Sequence, residues 1–264
     1  MTVIFERRQS ASAIWARRVA IFSAVLLVVA VVGHRFALVP TIPFFNVLGV
    51  VAALAALALL LAGIGFFRLW QRGDRGGRAS ARATIIAAAV LVPFGMGVFR
   101  ALTLPPLADV ATDPENPPAF VHARSLRTAE MNPIRDIAPE QARLQVAAYP
   151  AVTGRRYTLT VDRMQEIAMA AIDNLGWRPA GPPQASGDAT VTIEAVAPSL
   201  VFGFVSDVVI RIIDEGETSY VDVRSASRYL RHDLGGNAAK IERFFSEVDA
   251  EIEARETPVL RPSG

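Results

Sequence analysis

Between residues 36 and 67 the chain carries no charged side chain, and this run limits the possible folds more than any other feature. Its inner part, FFNVLGVVAALAALALLLAGIGFF (residues 44–67), would extend roughly 36 Å as a helix at ~1.5 Å per residue, more than the roughly 30 Å of a bilayer's hydrocarbon core. A membrane-spanning helix is the prediction, because in lipid only a helix or a closed barrel satisfies every backbone N–H and C=O. Residues 19–32 (VAIFSAVLLVVAVV) and 83–99 (ATIIAAAVLVPFGMGVF) are shorter apolar runs, bordered by arginine and not interrupted by it. Together they predict three spans, near residues 14–34, 44–67 and 83–104. These runs account for a composition that is 52% apolar with a positive mean hydropathy, too apolar for an ordinary soluble protein.

Arginine placement predicts the orientation, since short loops retained on the cytoplasmic side carry the Arg and Lys excess. Arg7, Arg8, Arg17 and Arg18 precede or open the first span, and Arg68, Arg72, Arg75, Arg78 and Arg82 lie between the second and third against one acid, Asp74. Only His34 and Arg35 lie between the first two. The amino terminus and residues 68–82 are therefore expected in the cytoplasm, with everything after the third span on the far side. Residues 1–104 hold 11 Arg and two acids, whereas residues 105–264 hold 16 basic and 23 acidic residues. The pI near 9.4 thus reports membrane topology, and nucleic acid is not an expected partner. Residues 19–32 also match the length of a signal-peptide core, but the VVG ending at Gly33 lacks the A-x-A pattern, and the span is read as retained.

Residues 1–104 are accordingly read as a membrane anchor, residues 105–255 as an extracytoplasmic domain and residues 256–264 as a flexible tail. The absence of cysteine excludes disulfides and thiolate chemistry. Small residues four apart in the second span, Gly49 with Ala53 and Ala52 with Ala56, are candidates for close helix approach. Pro93 is expected to kink the third span. No span has a charge at its centre, so a proton relay or ion path is not indicated.

In the domain, PPLADVATDPENPPAFVHARS (residues 105–125) is rich in Pro, Asp and Asn and is expected to be an ordered loop or extended arm. Pro139 is placed to open a short helix through Gln145. A helix over 161–175 follows, with Thr160 at its N-cap, Gly176 beyond its end, and Val161, Met164, Ala168, Ala171, Ile172 and Leu175 on one face. Strands are predicted over 188–197, 204–213 and 219–226. A last helix begins near Asn237, with Ile241, Phe244, Phe245, Val248 and Ile252 at helical spacing. The fold class is therefore an α-helical membrane anchor of three transmembrane helices plus an α+β domain, an antiparallel sheet with two main helices on one face.

Period-two alternation places Asp207, Val209 and Arg211 on one face of the second strand, and Asp222, Arg224 and Ala226 together on the third. A two-residue turn at Glu215 and Gly216 would set Asp207 opposite Arg224, and a four-residue loop would set Arg211 opposite Asp222. Both registers remain open at this level. If solvent covers that face the pairs contribute little; if a loop covers it they become a buried polar cluster. Beyond the third strand, VDVRSASRYLRHDLGGN (residues 221–237) ends in a Gly-Gly pair with Asp233 and Asn237 as cap candidates. The amides at that helix start, near Arg224, Arg228 and Arg231, suit a phosphate or carboxylate, unless Asp233 takes their place as an internal anion.

The segments DVATDPENPPAF (residues 109–120), GFVSDVVIRI and VDVRSASRYLRHDLGGNAAKIERFF (residues 221–245) together resemble the domain-of-unknown-function 1499 family over about residues 105–250. Residues 229–232, YLRH, depart from the family's usual form, which has a glycine and a serine nearby. The resemblance implies no activity. It marks Asp109, Thr112, Asp113, Arg224, Ser225, Ser227, Arg228, Asp233 and Asn237 as candidate ligand-binding residues.

Three functions compete. An enzyme would use Ser225 or Ser227 as nucleophile, His122 or His232 as base and an aspartate to orient it, a hydrolase-like Ser/Asp/Arg cluster. However, the chain has no G-x-S-x-G, H-E-x-x-H or phosphate-loop pattern, and no cofactor is expected. A calcium site would use Asp109, Asp113 and Glu115, at a spacing unlike a helix-loop-helix hand. The favoured expectation is a multi-pass protein of a bacterial inner membrane presenting a periplasmic binding or scaffolding domain. Its partners would be the lipid bilayer and an envelope protein or lipid headgroup.

Overall fold

The computed structural model describes residues 10–72, 75–185, 187 and 189–256. They divide into two compact units, one of residues 1–99 with 201–203 and one of residues 100–200 with 204–264. The expected tail, Glu256 apart, and the arginines at positions 7 and 8 lie outside the described residues.

The first unit contains α1 (Ala11–Arg35), α2 (Thr41–Arg72) and α3 (Gly77–Thr103), each long and apolar enough to cross a membrane. All three run further than the apolar spans alone predict. Arg68 and Arg72 belong to α2 and Arg78 and Arg82 to α3, not to a loop, since arginine favours helix. α3 passes through Pro93 without interruption.

Their seam consists of small residues: Ala16 and Ala20 of α1, Val51, Ala55, Ala58 and Ala62 of α2, and Ala83, Ala87 and Val90 of α3 are all buried together. The stripe does not include the pairs four apart, because Gly49, Ala53 and Ala56 are exposed and Ala52 is half-buried. Alanine recurs on every side of α2, so spacing cannot select the face that packs; the neighbouring helices select it. Gly65 continues the seam. A Cβ there would collide with Ser80 Oγ and press on Ala13.

The second unit runs β1 (Asp109–Ala111), α4 (His122–Leu126), α5 (Pro139–Ala148), β2 (Arg155–Tyr157), α6 (Val161–Asn174), β3 (Arg178–Pro179), β4 (Gln184–Ala185), β5 (Thr190–Pro198), β6 (Val205–Asp214), β7 (Ser219–Ser227) and α7 (Gly236–Glu256). The strands form one antiparallel seven-stranded sheet in the order β1-β7-β6-β5-β3, with β2 also on β7 and β4 also on β5. α6 and α7 cover one face. Met164, Ile167, Ala168 and Ile172 of α6 and Ile241, Phe244, Phe245 and Val248 of α7 bury against Ile193, Val208, Ile210, Ile212, Val221 and Val223. Trp177 stacks on Phe244 with ring centroids 6.2 Å apart. Ile167 joins the predicted stripe of α6, and Gly176 ends that helix at φ +66°, a left-handed conformation that glycine adopts without strain. Thr160 occupies the N-cap without a side-chain cap bond.

β6 and β7 pair with Arg211 opposite Asp222 and Asp214 opposite Ser219, so the four-residue loop is the register adopted. Two further expectations are corrected. Residues 105–125 are not wholly irregular, because they contain β1 and the single turn α4, and α5 extends to Ala148. Each is fixed by partners distant in sequence: β1 pairs with β7, and the start of α4 is capped by a glutamate on β5.

Candidate functional site

The sheet face opposite α6 and α7 has its own small apolar cluster, Phe120, Ala123, Val209 and Ala226 with Ile134 beside it. Around that cluster the charged residues are buried. Residues 113–138 lie across the face as a strap, so the covered alternative holds. A strap with little secondary structure brings unpaired carbonyls and amides with it, and burial requires a partner for each. Arginine supplies five donors per side chain and a carboxylate accepts several bonds, and these two groups carry the contacts.

Asp207, 1% exposed, accepts Arg127 Nε at 2.8 Å on one oxygen, and Arg228 Nε and Nη2 at 3.0 and 2.7 Å on the other. Arg127 also donates to the carbonyls of Asn132 and Ala226. Arg211 forks onto Asp222 and donates to the Asn116 carbonyl at 2.8 Å. Arg224 forks onto Asp109 at 2.9 and 2.8 Å, donates to the carbonyls of Pro118 and Arg135, and lies 5.2 Å over the Phe120 ring. Glu194 accepts the amides of Val121, His122 and Ala123 at 2.6, 2.9 and 2.8 Å, an anion at the start of α4.

Four arginines, Arg127, Arg211, Arg224 and Arg228, thus meet three aspartates, Asp109, Asp207 and Asp222, and Glu194, held by backbone amides, is the fourth carboxylate. The lattice is neutral. It has no surplus cation to attract an external anion.

The other candidates lie on the helix side of the sheet. Ser225 Oγ donates to Asn237 Oδ1 at 2.8 Å, and Asn237 Nδ2 donates to Ser227 Oγ and to the Ala108 carbonyl. Asp233 accepts the amides of Gly235 and Asn237 at 2.9 and 2.6 Å, so the internal anion occupies the start of α7. Lys240 donates to Ser206 Oγ at 3.1 Å, which is 3.4 Å from Ser227 Oγ. Burial lowers the Lys240 ammonium to about 8, against the raising influence of Asp233, and burial likewise raises the Asp233 carboxyl.

The nine candidate residues therefore fall into three places. Asp109, Arg224 and Arg228 belong to the strap lattice, and Ser225, Ser227, Asp233 and Asn237 to the corner at α7. Thr112 and Asp113 lie at the sheet edge, where Thr112 Oγ1 accepts the Val223 amide at 2.8 Å and Asp113 accepts the amides of Glu115 and Asn116.

Neither serine meets a histidine. His122 is bonded to Gln184 at 2.6 Å, and His232 accepts the Leu234 amide at Nδ1 and reaches the Leu104 carbonyl with Nε2. Asp109, Asp113 and Glu115 do not converge, and among the described residues no three His, Asp or Glu side chains are gathered to hold a metal.

Thr112 and Asp113 border a groove of this unit, a cavity of about 1100 Å³ between α5 and the edge of the sheet at β2 and β7. Ile137, Ala142 and Val146 form the apolar part of its lining, and Arg143, Arg156 and Tyr220 the polar part. Arg156 pairs with Glu215 at 2.9 Å and lies 5.0 Å over the Tyr220 ring. Arg143 is exposed and makes no ion pair or side-chain hydrogen bond with a described residue.

Sequence reasoning missed Arg127, Glu194, Ser206, Lys240, Arg143, Arg156 and Tyr220 as members of these sites. One signal was present. Glu194 is a single acid inside the apolar strand VTIEAVA, and an acid in that position is buried only with dedicated partners.

No curated protein and no solved structure matches the chain. A family model described as a protein of unknown function, DUF1499, matches residues 109–248. The match opens on the first residue of β1 and closes on Val248 in the core of α7. Because it encloses the whole sheet, the strap, α6 and α7 as far as Val248, over more than half of the chain, the protein belongs to the DUF1499 family.

Proposed function

We propose that this chain is a multi-pass protein of a bacterial inner membrane, with a cytoplasmic amino terminus and a periplasmic α+β domain that binds an amphiphilic envelope component. The groove beside α5 carries this reading. It joins an apolar wall to Arg143, which has no ion-pair partner among the described residues, a tyrosine and two of the candidate residues, Thr112 and Asp113, a combination that suits an acyl chain with a polar head. The other candidate residues contribute indirectly, because the neutral lattice and the α7 corner hold the sheet edge in place.

Native mass spectrometry of the full chain, extracted in mild detergent, is expected to show a retained lipid-sized adduct. Val146 is 58% exposed, so V146W fills the groove without disturbing the core and is expected to lower the number of retained adducts by one per chain while leaving the thermal midpoint unchanged. Adducts equally numerous in V146W, or none on the wild-type chain, would remove the groove reading.

Orientation has a separate check. Alkaline phosphatase fused after residue 264 is expected to be active, because the arginines between the second and third spans oppose translocation. Silence of that fusion, with activity from a cytosol-only reporter at the same position, would reverse the topology.

A further inference from the structure

The arginine-rich end of the three-helix unit contains two adjoining clefts that share Arg17 and Arg82. One, about 360 Å³, is lined by Arg17, Arg18 and Arg82 above Ile21, Ile85 and Ile86. The other, about 500 Å³, adds Arg75 and Arg78 beside Ile14. The start of α1 is tied to the connection between α2 and α3, since the Ser10 amide donates to the Arg75 carbonyl at 2.9 Å. Cationic side chains from the amino-terminal parts of α1 and α3 thereby line adjoining openings.

Among the described residues these arginines have no carboxylate partner. Arg17, Arg75, Arg78 and Arg82 make no ion pair or side-chain hydrogen bond with a described residue. The two acids of residues 1–104, at positions 6 and 74, lie outside the described residues. Arg18 lies 5.4 Å over the ring of Trp15, itself 56% exposed, and tryptophan at the end of a spanning helix favours headgroup depth. In the strap lattice each guanidinium has a carboxylate. Here cations surround an opening whose floor is isoleucine, so the complementary occupant is anionic at one end and aliphatic at the other.

We propose that this cleft binds one anionic phospholipid, its phosphate held by Arg17 and Arg82 and an acyl chain lying along Ile21, Ile85 and Ile86. The site rests on the three helices spanning a membrane and is independent of the groove in the other unit. Zwitterionic lipid is disfavoured, because its ammonium group would enter a field of five arginines. Free phosphate would forgo the isoleucine floor.

The full chain in detergent is titrated with phosphatidylglycerol, phosphatidylcholine or inorganic phosphate, and bound lipid is read by native mass spectrometry. Phosphatidylglycerol is expected to be retained in preference to phosphatidylcholine and not to be displaced by millimolar phosphate. R17Q/R82Q is expected to weaken its retention about thirtyfold, the loss of two arginine contacts at a headgroup. R68Q/R72Q removes the same charge outside the cleft and is expected to leave retention unchanged.

Equal retention of both lipids by the wild-type chain, displacement by phosphate alone, or equal losses in the two double variants would overturn the proposal. Fractionation separates these outcomes from failure of the spanning reading: a chain recovered from the membrane pellet that shows no lipid preference refutes only the cleft.

Discussion

Asp207→Ala is expected to destabilise the α+β domain by about 3–5 kcal/mol, the usual effect of removing one member of a buried ion pair. The aspartate is the shared acceptor of Arg127 and Arg228, so its removal leaves two guanidinium groups under the strap without a counter-charge. Arg127 is also bonded to the carbonyls of Asn132 and Ala226, so the damage is expected to spread along the strap. Amide hydrogen exchange around residues 121–132 should rise before the α6 and α7 core opens, since the apolar core lies on the other face of the sheet. Asp207→Asn keeps the shape and loses the charge, and should be nearly as damaging as the alanine. D207L combined with R127M and R228M removes both signs together and is expected to recover much of the loss. Chemical denaturation reads all three variants. A cost below about 1 kcal/mol for Asp207→Ala, the range of exposed pairs, would show that the strap is held by its apolar anchors instead.

Alkaline pH is expected to stabilise the domain through Lys240. Its folded pKa, about 8, is below its ordinary value of 10.5 because burial penalises the ammonium. The unfolded chain therefore binds more protons than the folded one between these values, and linkage makes stability rise with pH through that window. The full difference corresponds to about 3 kcal/mol, and on the order of 2 kcal/mol of it should be recovered between about pH 7.5 and about pH 9.5. Asp233 and Arg243 face the same ammonium with opposite effects. Tyr149, Tyr157 and Tyr220 have hydroxyls raised above their ordinary value, so they titrate beyond the window. Lys240→Met removes the titrating group and should flatten the profile, while Ser206 Oγ keeps Ser227 Oγ as a neighbour. Thermal midpoints measured across this range decide the matter: an unchanged slope in the methionine variant would assign the effect to another group.

Much of the architecture was legible because its signals are local. The three long apolar helices follow from length and hydropathy, and α6, α7 and β5 to β7 follow from periodicity. The candidate site was legible only as a set of residue types. Alternation put Asp207, Arg211, Asp222 and Arg224 on one face, but the pairings depend on a loop length that two registers satisfied equally. Arg127 was not legible as a partner of Asp207, since 80 residues separate them and no short-range pattern connects the two. The same holds for Glu194, whose three amide partners lie more than seventy residues away. Thr112 and Asp113 were identified without the groove they border, because its opposite wall, α5, is placed by Gln145 bonding to both the amide and the carbonyl of Ala111.

By itself the sequence determined which segments are apolar enough for lipid, which faces of the core helices and strands turn inward, and where arginine accumulates. These are properties of neighbouring residues, and hydrophobic burial acts on them wherever the chain goes. Only the tertiary structure decided what covers the second face of the sheet, which carboxylate each arginine of the strap lattice meets, and which arginines have no partner among the described residues. A charge placed under a strap must find a counter-charge or a polar partner, and that partner comes from whatever the fold brings within about 3 Å.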